Sequence, residues 1–212
     1  MLADKKILAD LFRDNPDAIS VYLTEKLEKN DFDATRTALG LIVQAQNVQI
    51  LARDAGLRRD TLYKTFGGKR DPQLSRVLKV FGALNLHFQV VPSAKCDFPP
   101  PQQHLSPPPH NERVHAQLLR DDNEAVATYL THSFAGNDLE QAVEALYKVT
   151  LAQNKSALAR NAGIPRRTLY NKADPPLSRI LKLFAALSVR FAVARSPHGE
   201  KPARPKLGRP RK

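Results

Sequence analysis

An internal repeat constrains this chain more than any other feature of it. Tyr22-Leu23-Thr24 returns as Tyr129-Leu130-Thr131, and Asn30-Asp31 as Asn137-Asp138, both 107 residues on. The same offset sets Ala38-Leu39 on Ala145-Leu146, Gln46-Asn47 on Gln153-Asn154 and Leu51-Ala52-Arg53 on Leu158-Ala159-Arg160. It continues with Ala55-Gly56 on Ala162-Gly163 and Thr61-Leu62-Tyr63 on Thr168-Leu169-Tyr170. A register held without a gap from Leu11 to Tyr63 is a duplication. Beyond Tyr63 the offset falls to 103, with Asp71-Pro72 answered by Asp174-Pro175 and Leu74-Ser75-Arg76 by Leu177-Ser178-Arg179. The second copy has therefore lost four residues just after its equivalent of Tyr63.

The repeat divides the chain into copy one (1–91), a linker (92–112), copy two (113–195) and a tail (196–212). The linker holds Pro92, Pro99, Pro100, Pro101, Pro107, Pro108 and Pro109 with few core-forming residues. Such a segment favours extended polyproline II at about 3.1 Å per residue, a semi-rigid spacer on the order of 60 Å long. Its proline runs also have the character of a ligand for a proline-reading domain, but a spacer between separable copies is the simpler reading.

Within each copy apolar residues return at helical steps, as in Leu11, Ala18, Ile19, Tyr22, Leu23 and Leu27, and in Leu74, Val77, Leu78, Phe81 and Leu84. Alternating strand patterns are scarce, so the expected fold class is all-α: two small helix-turn-helix bundles joined by the Pro-rich linker. Asp71-Pro72 and Asp174-Pro175 read as starts of the helices that follow them. An Asp there caps free amide groups, and Pro is tolerated in a first turn.

The helix-turn-helix expectation rests on spacing. Counting Val48 as one, Ala52 is fifth, Gly56 ninth and Leu62 fifteenth. Two helices crossing steeply over a tight turn need a small residue at their contact, a glycine where the backbone turns left-handed, and an apolar anchor on the second helix. Ala159, Gly163 and Leu169 repeat the set. A plain helical hairpin shares these features; the exposed positions of the second helix favour a DNA reader. In copy one these are Arg58, Arg59, Asp60, Tyr63 and Lys64, and in copy two Arg166, Arg167, Tyr170 and Asn171. Arginine pairs with guanine edges and asparagine with adenine, while Tyr and Lys hold phosphate.

Charge follows the same division. The chain carries a formal +12. Residues 1–34 carry a net −3 and residues 35–95 a net +7, then residues 96–144 a net −6 and residues 145–195 a net +9. Positive charge is concentrated in the two presumptive reading halves, as phosphate binding requires. Membrane binding would prefer one long basic amphipathic helix, and none is visible.

No run nears the roughly 18 apolar residues of a bilayer span, and residues 1–14 carry acidic groups unlike a signal peptide. A cytoplasmic, nucleoid-associated location follows as an expectation. The lone Cys96 excludes an intrachain disulfide and a thiolate zinc cluster, and reads as an inert loop residue. His87, His104, His110, His115, His132 and His198 are scattered without a nucleophile or metal set, so no catalytic residue, metal or cofactor is expected and the chain is not read as an enzyme.

The tail adds a net +5 and cannot fold alone. Gly208-Arg209-Pro210-Arg211-Lys212 is similar to the core of an AT-hook, in which arginines lie along a narrow minor groove. Leu207 stands where that motif has Arg, so the match is partial; a generic phosphate-holding tail, with Arg204, Arg209 and Arg211 as its contacts, fits equally.

Copy one resembles the addiction-module antidote proteins, small Cro/repressor-like helix-turn-helix antitoxins of bacteria. The resembling residues are Tyr22-Leu23-Thr24-Glu25-Lys26-Leu27, Ala38-Leu39, the stretch from Leu51 to Lys64, Asp71-Pro72 and Leu78-Lys79-Val80. The resemblance implies repression of the protein's own operon and neutralisation of a toxin partner. Where the family carries Ser, this chain has Arg58 and Pro165, so its second helices lack that cap.

The expected function is a double-stranded DNA-binding transcriptional regulator, a repressor, in which two linked units meet two half-sites. Copy two lacks counterparts of Phe66, Gly67 and Gly68, so copy one is expected to specify and copy two, with the tail, to hold. Two alternatives stand beside it. One is an antitoxin-like protein whose acidic N-terminal helices grip a basic toxin, the other an architectural DNA binder dominated by tail and phosphate contacts. Homodimerisation is compatible with each.

Overall fold

The computed structural model describes residues 10–68, 70–93, 119–120 and 122–196. Copy one runs α1 (Pro16–Leu27), α2 (Phe32–Ala45), α3 (Val48–Asp54), α4 (Arg59–Phe66), α5 (Leu74–Ala83) and β1 (Leu86–Pro92). Copy two runs α6 (Asn123–Phe134), α7 (Leu139–Ala152), α8 (Lys155–Ala162), a 3-10 helix (Arg166–Tyr170), α9 (Leu177–Ala186) and β2 (Val189–Arg195). Most of the linker, with Cys96, and the tail, with Arg204, Arg209 and Arg211, lie outside the described residues.

The first three helices of each copy begin where a short polar side chain can accept from a free backbone amide. Asn15 accepts from Ala18 N, Asp31 from Asp33 N and Ala34 N, and Asn47 from Gln49 N and Ile50 N. Asp122, Asp138 and Asn154 do the same in copy two. Asn30 and Asn137 take left-handed φ of 52° in the turns that end α1 and α6, a conformation asparagine tolerates better than most residues.

The all-α expectation is overturned by a two-stranded antiparallel sheet in which β1 pairs with β2 along its whole length. Each strand has its hydrogen-bonding partner in the other copy. A single copy read by itself offers a strand with nothing to pair against, although the alternating Leu86, Phe88 and Val90 carry a strand's period. Nor are the copies independent bundles, because their buried apolar residues form one continuous cluster.

The pairing is built on a pseudo-two-fold axis. Gln89 faces Ala192, and these two residues are equivalents under the 103-residue offset. Gln73 bridges Pro176, which is also its own equivalent. The axis therefore passes through both pairs, at opposite ends of α5 and α9. The backbone and asparagine ties across it occur twice. Leu74 N donates to Pro175 O and Leu177 N to Pro72 O, each at 2.9 Å. Asn137 Nδ2 donates to Leu86 O at 2.7 Å, and Asn30 Nδ2 to Val189 O at 3.0 Å.

The outer edges of the sheet are closed in the same reciprocal way. Thr131 Oγ1, on α6, accepts from Val90 N at 2.8 Å and donates to Val90 O at 3.0 Å. Thr24 Oγ1, on α1, accepts from Val193 N at 2.9 Å and donates to Val193 O at 3.3 Å. A hydroxyl can do both at once, so one threonine replaces a missing neighbouring strand and removes an edge open to further pairing. Beneath the sheet, Phe88 stacks on Phe191 at 4.1 Å between centroids. Phe81 of α5 and Phe184 of α9 flank the pair at 4.4 Å on either side. All four rings are at most 1% exposed, each contributing about 2 kcal/mol of burial.

Asp71 and Asp174 do not cap their own helices. The Asp174 carboxylate accepts from Ser75 N at 3.0 Å and from the Ser75 hydroxyl, at the start of α5. Asp71 accepts from Ser178 N at 3.3 Å and from the Ser178 hydroxyl, at the start of α9. The residues at the N-cap positions, Gln73 and Pro176, provide no side-chain cap. Because the axis brings the two helix starts together, each Asp reaches the opposite copy's free amides.

Candidate nucleic-acid interface

In each copy a short helix, a left-handed glycine and a second segment form one unit. Gly56 has φ +60° and Gly163 φ +62°, both at the end of the first helix. The turn closes identically, with Leu57 N donating to Ala52 O at 2.8 Å and Ile164 N to Ala159 O at 3.0 Å. Ala52 and Ala159 are buried at the crossing, and Leu62 and Leu169 anchor the second segments in the core. The small residue, glycine and anchor expected from spacing therefore occupy the three positions assigned to them.

The second segments differ. In copy one, α4 is an eight-residue α-helix. Its copy-two counterpart is a five-residue 3-10 helix. Neither Arg58 nor Pro165, at the N-cap positions, supplies a side-chain cap, as the substitution of Ser implied. α4 continues for its extra turn because its C-terminal end lies directly on α2. A Cβ added at Gly40 would stand 2.6 Å from Phe66 O. Thr65 Oγ1 also accepts from Arg76 at 3.0 Å, tying α4 to the first turn of α5.

Gly40 corresponds to Tyr147 in copy two. There Lys172 lies 4.3 Å from the Tyr147 ring centroid and pairs with Glu144 at 2.8 Å. The hydrogen bond to Glu144 raises the Lys172 ammonium above its ordinary pKa, and the reciprocal bond lowers Glu144. A phenol and a closed ion pair thus occupy the flank that α4 and Phe66 use in copy one. Gly40 and Tyr147 were missed as determinants of the site; laying the copies in register at this mismatch exposes them.

The sequence-predicted residues Arg58, Arg59, Asp60, Tyr63 and Lys64 are exposed together on α4. Arg166, Arg167, Tyr170 and Asn171 are exposed on and after the 3-10 helix. Among the described residues no carboxylate pairs with Arg58, Arg59, Lys64, Arg166 or Arg167. Asn171 is less free, because its Oδ1 accepts from Ala173 N at 2.8 Å, which occupies one half of the amide that a bidentate contact to adenine needs.

His87 and Arg190 are pseudo-equivalents in β1 and β2 and are both buried. Burial pushes the His87 imidazole below its usual pKa. Among the described residues no three metal-ligating side chains cluster, and no helix is long and apolar enough to cross a membrane.

Fold and site together define a tandem-duplicated, mostly helical chain with a reciprocal inter-copy sheet and two basic helical turn units. The chain belongs to the probable addiction module antidote protein family, whose model matches it twice, over residues 6–92 and 112–195. The two matches cover both copies, as the resemblance read from the sequence does. An uncharacterized protein of Haemophilus influenzae is 44% identical over 72 residues, which is 34% of this chain and 74% of that protein. That relative is therefore about one copy long. No solved structure matches.

Proposed function

We propose that the chain is a double-stranded DNA-binding regulator, a repressor, whose two linked helix-turn-helix units face one duplex. One observation carries the reading: α4 and its copy-two counterpart are related by the pseudo-axis through the Gln73–Pro176 bridge, and each presents arginines that no described carboxylate neutralises. A duplex with two half-sites meets a pair of units related in this way. If the five cations Arg58, Arg59, Lys64, Arg166 and Arg167 all contact phosphate, log affinity falls with log salt at a slope of about −4 to −5.

The experiment is a titration of the full chain against host-genome duplexes selected for binding and against scrambled duplexes. Replacing Arg59 and Arg166 together by Ala removes the discrimination between them. Unchanged discrimination overturns the reading.

Family membership supports a second role, as an antitoxin that holds a toxin partner. The regions around α1 and α6, net −3 for residues 1–34 and −6 for residues 96–144, suit a basic partner. Capture from the host with Arg59→Ala and Arg166→Ala in place separates the two roles, since a toxin stays bound when DNA does not.

A further inference from the structure

We infer that a single chain occupies a whole operator on two unequal half-sites about one DNA turn apart, copy one reading bases and copy two holding backbone. The inference rests on the DNA-binding reading above and specifies its substrate.

The geometry begins with the pseudo-axis. The Gln73–Pro176 bridge lies on it, and the Thr65–Arg76 hydrogen bond of 3.0 Å fastens the end of α4 one helical turn beyond that bridge. One arginine side chain and one turn of helix keep the middle of α4 within roughly 25 Å of the axis. Pseudo-symmetry then holds the two units within roughly 50 Å of each other, which admits half-site centres one turn apart, about 34 Å, and excludes two turns. Here both halves lie in one chain, with the sheet, the threonine edges and the Asp–Ser caps as the joint.

The inequality comes from Tyr147 and the four-residue loss. Copy one presents Arg58, Arg59, Asp60, Tyr63 and Lys64 on a helix of eight residues braced by Gly40. A helix of that length can run its exposed face along base edges in the major groove. In copy two the 3-10 helix ends at Tyr170, Asn171 closes a turn, and Lys172 is held by Glu144. Arg166 and Arg167 remain unpaired among the described carboxylates, on a segment too short to follow the groove. Such cations neutralise phosphates without reading sequence.

The test selects duplexes from a random pool with the full chain, then measures stoichiometry by native mass spectrometry. The expected result is one chain per duplex, with one well-defined half-site and, one turn away, a half-site of free sequence. Arg59→Ala then lowers affinity for the selected duplex about tenfold or more and for scrambled DNA only slightly. Arg166→Ala lowers both by the same few-fold factor and reduces the salt slope by about one. Both arginines are exposed without a described ion-pair partner, so neither change disturbs the fold. Two equally defined half-sites, two chains per duplex, or selective loss of discrimination in Arg166→Ala would overturn the inference while leaving DNA binding intact. Failure of the full chain to bind any duplex removes the DNA reading itself and the inference with it.

Discussion

The two copies share most of the polar ties by which they touch each other and differ most in the second segments of their turn units. Threonine edge closures, asparagine ties and aspartate caps occur as matched pairs across the axis. The second segments of the turn units have become an α-helix in one copy and a 3-10 helix in the other. A contact shared by both copies constrains two positions at once, because changing either side breaks the same joint. A surface segment constrains only itself. Duplication into one chain thus preserves the interface of the pair and frees its two exposed segments to diverge.

The joint gives the largest expected effect. Phe88→Ala and Phe191→Ala each remove one half of a stacked, fully buried pair, and each should cost about 3–5 kcal/mol in urea unfolding. Because both delete the same contact, the double variant should lose less than the sum of the two. Strict additivity, or a loss confined to one copy's signal, would break the view of the sheet as common property.

Next in size is the site where the copies part. Gly40→Ala sets a Cβ 2.6 Å from the Phe66 carbonyl oxygen, a clash with backbone that no side-chain rotation relieves. It should cost about 1–3 kcal/mol and weaken hydrogen-exchange protection in α4 first. Tyr147→Ala, at the equivalent place, should cost less, since it removes only a half-buried ring and the seat of Lys172. Equal costs would show that the two flanks are packed alike.

Much of this was legible in the sequence, and the parts that were not share one cause. The duplication and the shortened second segment of copy two followed from laying the chain on itself, and the Ala–Gly–Leu spacing of each turn unit from neighbours a few residues apart. The strands were passed over although Leu86, Phe88 and Val90, and Val189, Phe191 and Val193, recur at a strand's period of two, because the partner of each lies in the other copy with no hairpin turn to mark it. Thr24 and Thr131 belong to the first repeated triplet to stand out, yet their work is done on the other copy's backbone. Asp71 and Asp174 carried the right chemistry for a cap and were assigned to the wrong helix, since sequence order does not distinguish a cap on the same copy from one across the axis.

Those caps supply a smaller test. Asp71→Ala and Asp174→Ala should each cost about 1 kcal/mol, with the loss of protection appearing in the opposite copy: α9 for Asp71 and α5 for Asp174. Fraying of the variant's own following helix would restore the local assignment and contradict the crossed one.

The smallest effect lies in the sheet, where the pseudo-equivalent positions hold His87 on one strand and Arg190 on the other. Burial lowers the His87 pKa below its ordinary 6.5, so the folded state favours the neutral ring. The unfolded chain therefore binds the proton more readily, and stability rises with pH across this window. The contribution is fully present above about pH 6.5, the unfolded value, and is lost as pH falls through the lower folded value. His87→Gln should flatten the pH dependence of stability below about pH 6.5. An unchanged slope in His87→Gln would mean that the buried imidazole is not the group that distinguishes the two strands.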